Sequence, residues 1–281
     1  MKWVLALWLA CVTVAPATAQ NSGLEQLTRP DQITSWKAVG RVDIGTSSYC
    51  TGTLIAADLV LTAAHCLFDT HGAAHPVGTI IFRAGYADGA SVAEASVARA
   101  TAHDRYVPSR TGRPNGQEIL HDVALLQLAT PISTSLVPPF AVDSPGKGDE
   151  VSVVSYARGR DTALSWQRAC TVLGRFRGLI AVDCDVTFGS SGAPVFDRSR
   201  GRARIVSIIS AGQNAADKTV AFGMELPRLV SDLKAQLRSG RGVVSAEGPA
   251  TSVAGTSVRR ISVGSGNRSA GGARFVKAPG N

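Results

Sequence analysis

Between about residues 36 and 226 the chain is cut into short pieces. Runs rich in aliphatic and β-branched residues, at 38–44, 51–55, 59–62, 79–83, 123–128, 150–155 and 205–210, are separated by Gly, Asp, Asn and Pro. Strand-length segments punctuated in this way predict an all-β barrel or sandwich. Two helices are expected: a short turn after Thr62, and a longer one over 227–238. Pro227 opens the second, and Leu229, Val230, Leu233 and Leu237 share one of its faces, which would dock on the last barrel. With 281 residues, 44% of them hydrophobic and 18% charged, the chain can bury a large core in one or two compact domains.

The two ends read differently from this body. Lys2, the apolar run from Trp3 to Val14 and the small residues Ala17 and Ala19 predict a signal peptide over 1–19, cut before Gln20. The run is shorter than the roughly 20 residues that a bilayer span needs, so no stable membrane anchor is expected. Residues 20–34 are polar and irregular, a loose N-terminal arm or a removed propeptide. Residues 239–281 carry Arg241, Arg259, Arg260, Arg268, Arg274 and Lys277 against Glu247 alone. Rich in Gly, Ser, Ala and Val and without periodicity, they are expected to form a disordered basic tail. The formal charge of +8 therefore sits largely outside the body. A nucleic-acid footprint on the body is not indicated.

Cys11 leaves with the signal, and Cys50, Cys66, Cys170 and Cys184 remain. An even number in an exported chain predicts two disulfides, with three pairings open to sequence alone. Cys50–Cys66 and Cys170–Cys184 are favoured because each pair flanks a turn within one local unit. C-x-x-C does not occur, and no metal site is expected.

Chemistry concentrates around Gly189-Ser190-Ser191-Gly192-Ala193-Pro194. Ser191 lies between small residues, and Gly189 and Gly192 permit a sharp turn that aims backbone amides at one point. A serine hydroxyl needs an adjacent base, oriented in turn by a third group. His65 in Thr62-Ala63-Ala64-His65-Cys66 is the candidate base, on a strand end that a disulfide would stiffen. His71, His75, His103 and His121 stand in polar or turn-like settings and are weaker candidates. Asp122, directly before the apolar run 123–128, is the candidate carboxylate. A lone Asp opening a strand is commonly only a turn acceptor, but here it can be desolvated and still hydrogen-bonded.

These three segments, in the order His, Asp, Ser, resemble the trypsin/chymotrypsin-like serine peptidases from about Trp36 to Arg238. The resemblance implies two six-stranded antiparallel β-barrels and a C-terminal helix. The first barrel (35–135) would carry His65 and Asp122, and the second (136–238) Ser191. It also implies a Ser191–His65–Asp122 triad with the amides of Gly189 and Ser191 as oxyanion hole, acting without a cofactor on protein or peptide substrates. Ser190 stands where the animal digestive enzymes carry an Asp that binds a newly freed N-terminus, and no Ile-Val-Gly-Gly precedes the domain. The likeness is accordingly to the bacterial secreted branch that includes the glutamyl endopeptidase-like enzymes. Asp185, six residues before Ser191, falls where trypsin-type enzymes keep the acid of the primary pocket. It would either receive Arg or Lys, or bond local backbone amides. Ser210-Ala211-Gly212 matches the strand edge that binds substrate.

The expectation is a secreted, monomeric serine endopeptidase, extracellular or periplasmic. Its rivals are a catalytically silent binding protein on the same fold, and a surface-polymer binder acting through the basic tail.

Overall fold

The computed structural model describes residues 23–109, 114–144, 146, 150–199, 201–215 and 218–246. The expected signal segment and residues 247–281 lie outside them. In chain order β1 (Glu25–Gln26) and α1 (Pro30–Thr34) lead into β2 (Val39–Ile44), β3 (Ser48–Ala56), β4 (Leu59–Thr62), β5 (Ile80–Ala84) and β6 (Ala93–Ala102). Then follow α2 (Gly116–Leu120), β7 (Ala124–Leu128), β8 (Glu150–Ser155), β9 (Ser165–Phe176) and β10 (Leu179–Val182). The chain continues through β11 (Pro194–Asp197), β12 (Arg204–Ile208), β13 (Ala211–Ala215), β14 (Lys218–Met224), α3 (Pro227–Ser239) and β15 (Val243–Ser245).

The all-β class holds. The first sheet runs β15-β6-β5-β2-β3-β4-β7, and a further β6–β7 pairing closes six of its strands into a barrel. The second runs β12-β11-β8-β9-β10-β14-β13 and stays open as a half-barrel, with β1 added against β9. Alternation builds the closed barrel: in β5, Ile80, Phe82 and Ala84 are buried while Ile81 and Arg83 are half-exposed, as the period of two in a strand requires. In the second sheet a valine-rich cluster, including Val151, Val153, Val182 and Val195, fills the interior.

Three segments depart from expectation. The arm over 20–34 is not loose where it is described. β1 pairs with β9, α1 follows, and Leu27 and Ile33 are buried in the large core cluster that also holds Val39 and Phe82 of the first barrel, so this segment pairs with the second sheet and packs on the core of the first. Helix α3 docks on the first barrel, not the last. Gln236 Nε2 donates to Thr101 Oγ1 and to the Ala102 carbonyl at 3.1 Å, and Arg99 Nη2 donates to the Leu237 carbonyl at 2.7 Å, all at β6. The basic tail does not begin at 239: the chain turns after α3, and β15 pairs Val243 with Thr101 and Ser245 with Arg99. Glu25–Gln26 and Val243–Ser245 thus each pair with the sheet that is remote from them in sequence.

Candidate active site

β4 stops at Thr62, and Ala64–Leu67 forms one 3-10 turn. Ala63, Ala64, Cys66 and Leu67 are buried, so the apolar neighbours pull the turn inward and leave the imidazole as its partly exposed member. The Cys50–Cys66 disulfide ties the turn to β3, and Cys170–Cys184 forms as well. Among the described residues the one His/Cys/Asp/Glu grouping compact enough for a metal is Cys50, His65 and Cys66, and both sulfurs are in the disulfide.

Asp122 follows α2, whose start is capped by Asn115 accepting from the Gln117 and Glu118 amides. The carboxylate is buried and takes three bonds. The His65 amide donates to Oδ1 at 2.8 Å, and His65 Nδ1 and Ser210 Oγ reach Oδ2 at 2.7 and 2.5 Å. A buried charge is tolerable only when it is satisfied in this way. A carboxylate oxygen only accepts, so Nδ1 carries the proton and Nε2 is left basic. Burial by itself disfavours the charged ring, but the charge and hydrogen bond of Asp122 outweigh it, and the His65 pKa is raised.

The Ser191 loop leaves the second sheet and is fastened to the first barrel. At Gly192, φ is +76°, and a Cβ there would lie 2.3 Å from the Thr51 carbonyl oxygen and 2.8 Å from the Ala63 nitrogen. At Gly189, φ is +85°, and a Cβ would lie 2.2 Å from the Tyr156 carbonyl oxygen. Only glycine fits these two turns. The Thr51 amide donates to the Ser191 carbonyl at 2.9 Å, and Thr51 Oγ1 donates to the Gly189 carbonyl at 2.7 Å while accepting from the Tyr156 amide at 3.0 Å. Gly192 N donates to the Ile209 carbonyl, one residue ahead of Ser210 and its bond to Asp122. The amides of Gly189 and Ser191 donate to no acceptor among the described residues.

His65 and Asp122 therefore meet directly, and the Ser191 loop packs against Ala63, two residues before His65. No hydrogen bond joins the Ser191 hydroxyl to the His65 ring among the described residues. Such bonds often tighten only with substrate in place.

This arrangement has relatives. Residues 50–204, from the first disulfide cysteine through Ser191, match the family model of the trypsin-like peptidase domain. The chain belongs to the trypsin-like peptidase family. It is 30% identical over 192 residues to Serine protease 23 of Rattus norvegicus, a match covering 59% of this chain and 49% of that protein. It is 28% identical over 199 residues to the Glutamyl endopeptidase of Bacillus licheniformis, covering 67% of this chain and 60% of the other. The chain thus spans about half the length of the first of these. In fold it is similar to a solved Glu endopeptidase, with a TM-score of 0.59, 21% identity, and coverage of 77% of this chain and 97% of that one. A thermostable serine protease, AL20, from an extremophilic microorganism gives a TM-score of 0.58 at 20% identity, covering 73% and 99%.

The remaining sequence candidates fall as follows. Ser210 immediately precedes β13, and its hydroxyl donates to Asp122. Gly212 lies on β13, the last strand of its sheet, and a Cβ there would strike Val186 at 2.6 Å. Asp185 is half-buried, its amide donates to Gln167 Oε1 at 2.7 Å, and its carboxylate bonds no described residue. Ser190, neutral and fully buried, bonds Ser155 Oγ at 3.3 Å. His103 and His121 are buried and stack at 5.2 Å, with polar neighbours as expected: His121 closes α2 with Nδ1 3.3 Å from the Gln117 carbonyl, and His103 Nδ1 accepts from the Arg105 amide at 3.3 Å.

Sequence reasoning missed Thr51, whose partners Gly189 and Tyr156 are more than a hundred residues away. It also missed the rim made by Phe188, 70% exposed, under the Arg158 guanidinium at 4.0 Å. A threonine inside an apolar run signals a strand interior and carries no sign of its distant partner.

Proposed function

We propose that the chain is a secreted serine endopeptidase working through Ser191, His65 and Asp122. The observation that carries the reading is the bidentate grip of one buried carboxylate on the amide and ring of His65, beside a serine loop bolted to the same barrel. His65 Nε2 takes the Ser191 proton as the serine oxygen attacks the scissile carbonyl, and Asp122 holds the ring and offsets the charge it acquires. The Gly189 and Ser191 amides, with no internal acceptor among the described residues, receive the oxyanion. His65 then protonates the leaving amine, and water releases the acyl group from Ser191.

The edge strand β13 offers backbone pairing to an extended peptide. A half-buried carboxylate at Asp185 with no described partner favours a basic side chain in the primary pocket and repels an acidic one. The reading is therefore cleavage after Arg or Lys, although one solved neighbour is titled Glu endopeptidase. The leader-like N-terminal sequence and two disulfides support export. No helix of the described residues is long and apolar enough to cross a membrane.

Profiling the purified chain against a peptide library, with Ser191→Ala as control, tests the reading. Cleavage after Arg and Lys is expected, together with covalent labelling of Ser191 by an organophosphonate. Neither cleavage nor labelling would mean a catalytically silent relative. Cleavage after Glu would overturn the specificity alone.

A further inference from the structure

Away from His65, a groove of about 730 Å³ opens between the N-terminal arm, β9 and the β11–β12 hairpin. Its walls are basic: Arg29, Lys37, Arg168, Arg198 and Arg202 face it against one acid, Asp31. Arg29 and Arg168 are paired, to Asp31 at 3.2 Å and Glu25 at 3.0 Å. Lys37, Arg198 and Arg202 have no acidic partner among the described residues. Arg202 is instead held by the carbonyls of Pro138 and Pro139, at 3.3 and 2.8 Å, which fix the guanidinium without neutralising it.

The groove also has an aromatic floor. Trp36, Phe140 and Trp166 line it, and the Arg168 and Arg198 guanidiniums lie 4.1 and 4.9 Å from the Trp166 ring. The Trp166 Nε1–H is buried and has no acceptor among the described residues. Stacking orders the Arg198 guanidinium at low entropic cost and leaves its planar N–H edge for a bidentate bond to a carboxylate, whereas Glu25 takes the Nε–Nη2 edge of Arg168.

We infer that this groove is a docking site for a carboxylate-rich polypeptide segment, an acidic stretch of the substrate held away from the scissile bond. Charge complementarity argues for the acid, and the choice of polypeptide rests on the peptidase reading above. Glu and Asp side chains match the Arg198 and Arg202 guanidiniums and the Lys37 ammonium along the groove.

Two measurements test this on the full chain. The first uses Ser191→Ala and a fluorescein-labelled oligoglutamate peptide, so that binding is read without turnover. Saturable binding that weakens with salt is expected, and Arg198→Glu combined with Arg202→Glu should loosen it by about tenfold or more. Lys37→Glu, which removes no contact to the Pro138–Pro139 segment, should act in the same direction and guards against misfolding of the double variant. The basic segment beyond residue 246 is present in every form, so the difference between forms belongs to the groove. Equal binding by all forms overturns the inference, as does tighter binding of duplex DNA or polyphosphate, which would mark a general polyanion surface. The second measurement compares kcat/KM for a peptide with and without an appended acidic segment. The charge reversals should remove the advantage of the segment and leave the bare peptide unchanged. Failure of Ser191 to label in the unaltered chain would defeat the peptidase reading while leaving the oligoglutamate result to judge the groove.

Discussion

His65 and Asp122 are held by charge, whereas the Ser191 loop is held by neutral groups. On the first side one buried carboxylate gathers a backbone amide, an imidazole and the Ser210 hydroxyl. On the second, two glycines at positive φ fold the loop tightly, and Thr51 pins it through an amide and a hydroxyl. Charge-assisted bonds are roughly twice as strong as neutral ones and depend on pH. The neutral bolt is indifferent to pH but tolerates almost no change of shape. The histidine side should therefore fail chemically while the fold survives, and the serine side should fail through geometry.

Asp122→Asn should give the largest effect. Asparagine keeps the shape but can present an N–H to Nδ1, which selects the wrong tautomer, and kcat should fall by about 10⁴. Circular dichroism should remain that of the parent, and activity within tenfold of the parent would break the claim that this carboxylate directs the base.

Thr51→Val tests the other side. The exchange keeps the branched shape but strands the Gly189 carbonyl and the Tyr156 amide, each at a cost of about 1–3 kcal/mol. Loss of a whole oxyanion donor costs about 10²–10³ in kcat, so loosening the loop that carries one should cost about 10- to 100-fold. KM should move little, and Thr51→Ser should restore most of the rate. Equal kcat in Thr51→Val and the parent would show that the glycines alone hold the loop.

The same contrast explains what sequence could tell. His65, Asp122 and Ser191 stand in short motifs whose residues meet locally: a strand end before a cysteine, an acid before an apolar run, a serine between glycines. The cysteine pairings were legible because each joins neighbours along the chain. Thr51 was not, because a hydroxyl inside a β-rich run looks like any strand threonine until Gly189 arrives 138 residues later. β6 was missed for another reason. Its alanines have weak strand propensity, yet small side chains suit a strand with neighbours on both sides in a closed barrel. β1 and β15 were hidden because their pairings cross between barrels: β1 joins the second sheet and β15 the first. Polar composition argued for loose ends, and a few buried residues, Leu27 and Ile33 among them, were enough to order the N-terminal one.

The smallest expected effect is the most diagnostic of the charged side. With its pKa raised by Asp122, His65 loses its proton only above the ordinary histidine value of about 6.5, so the acid limb of kcat/KM should lie above that pH. In Asp122→Asn the carboxylate's pull is gone and burial alone remains, so the limb of the residual activity should fall below it. Stability should run the other way. A histidine whose folded pKa exceeds its unfolded one stabilises the fold below about pH 6.5, and that contribution is lost as pH rises through the folded value. The thermal midpoint of the parent relative to Asp122→Asn should therefore shrink as pH rises from below about 6.5 through the raised folded value, over the same range in which activity appears. A gap that widens with pH would mean that the pair is not a charged one, and the distinction between the two sides of the site would collapse.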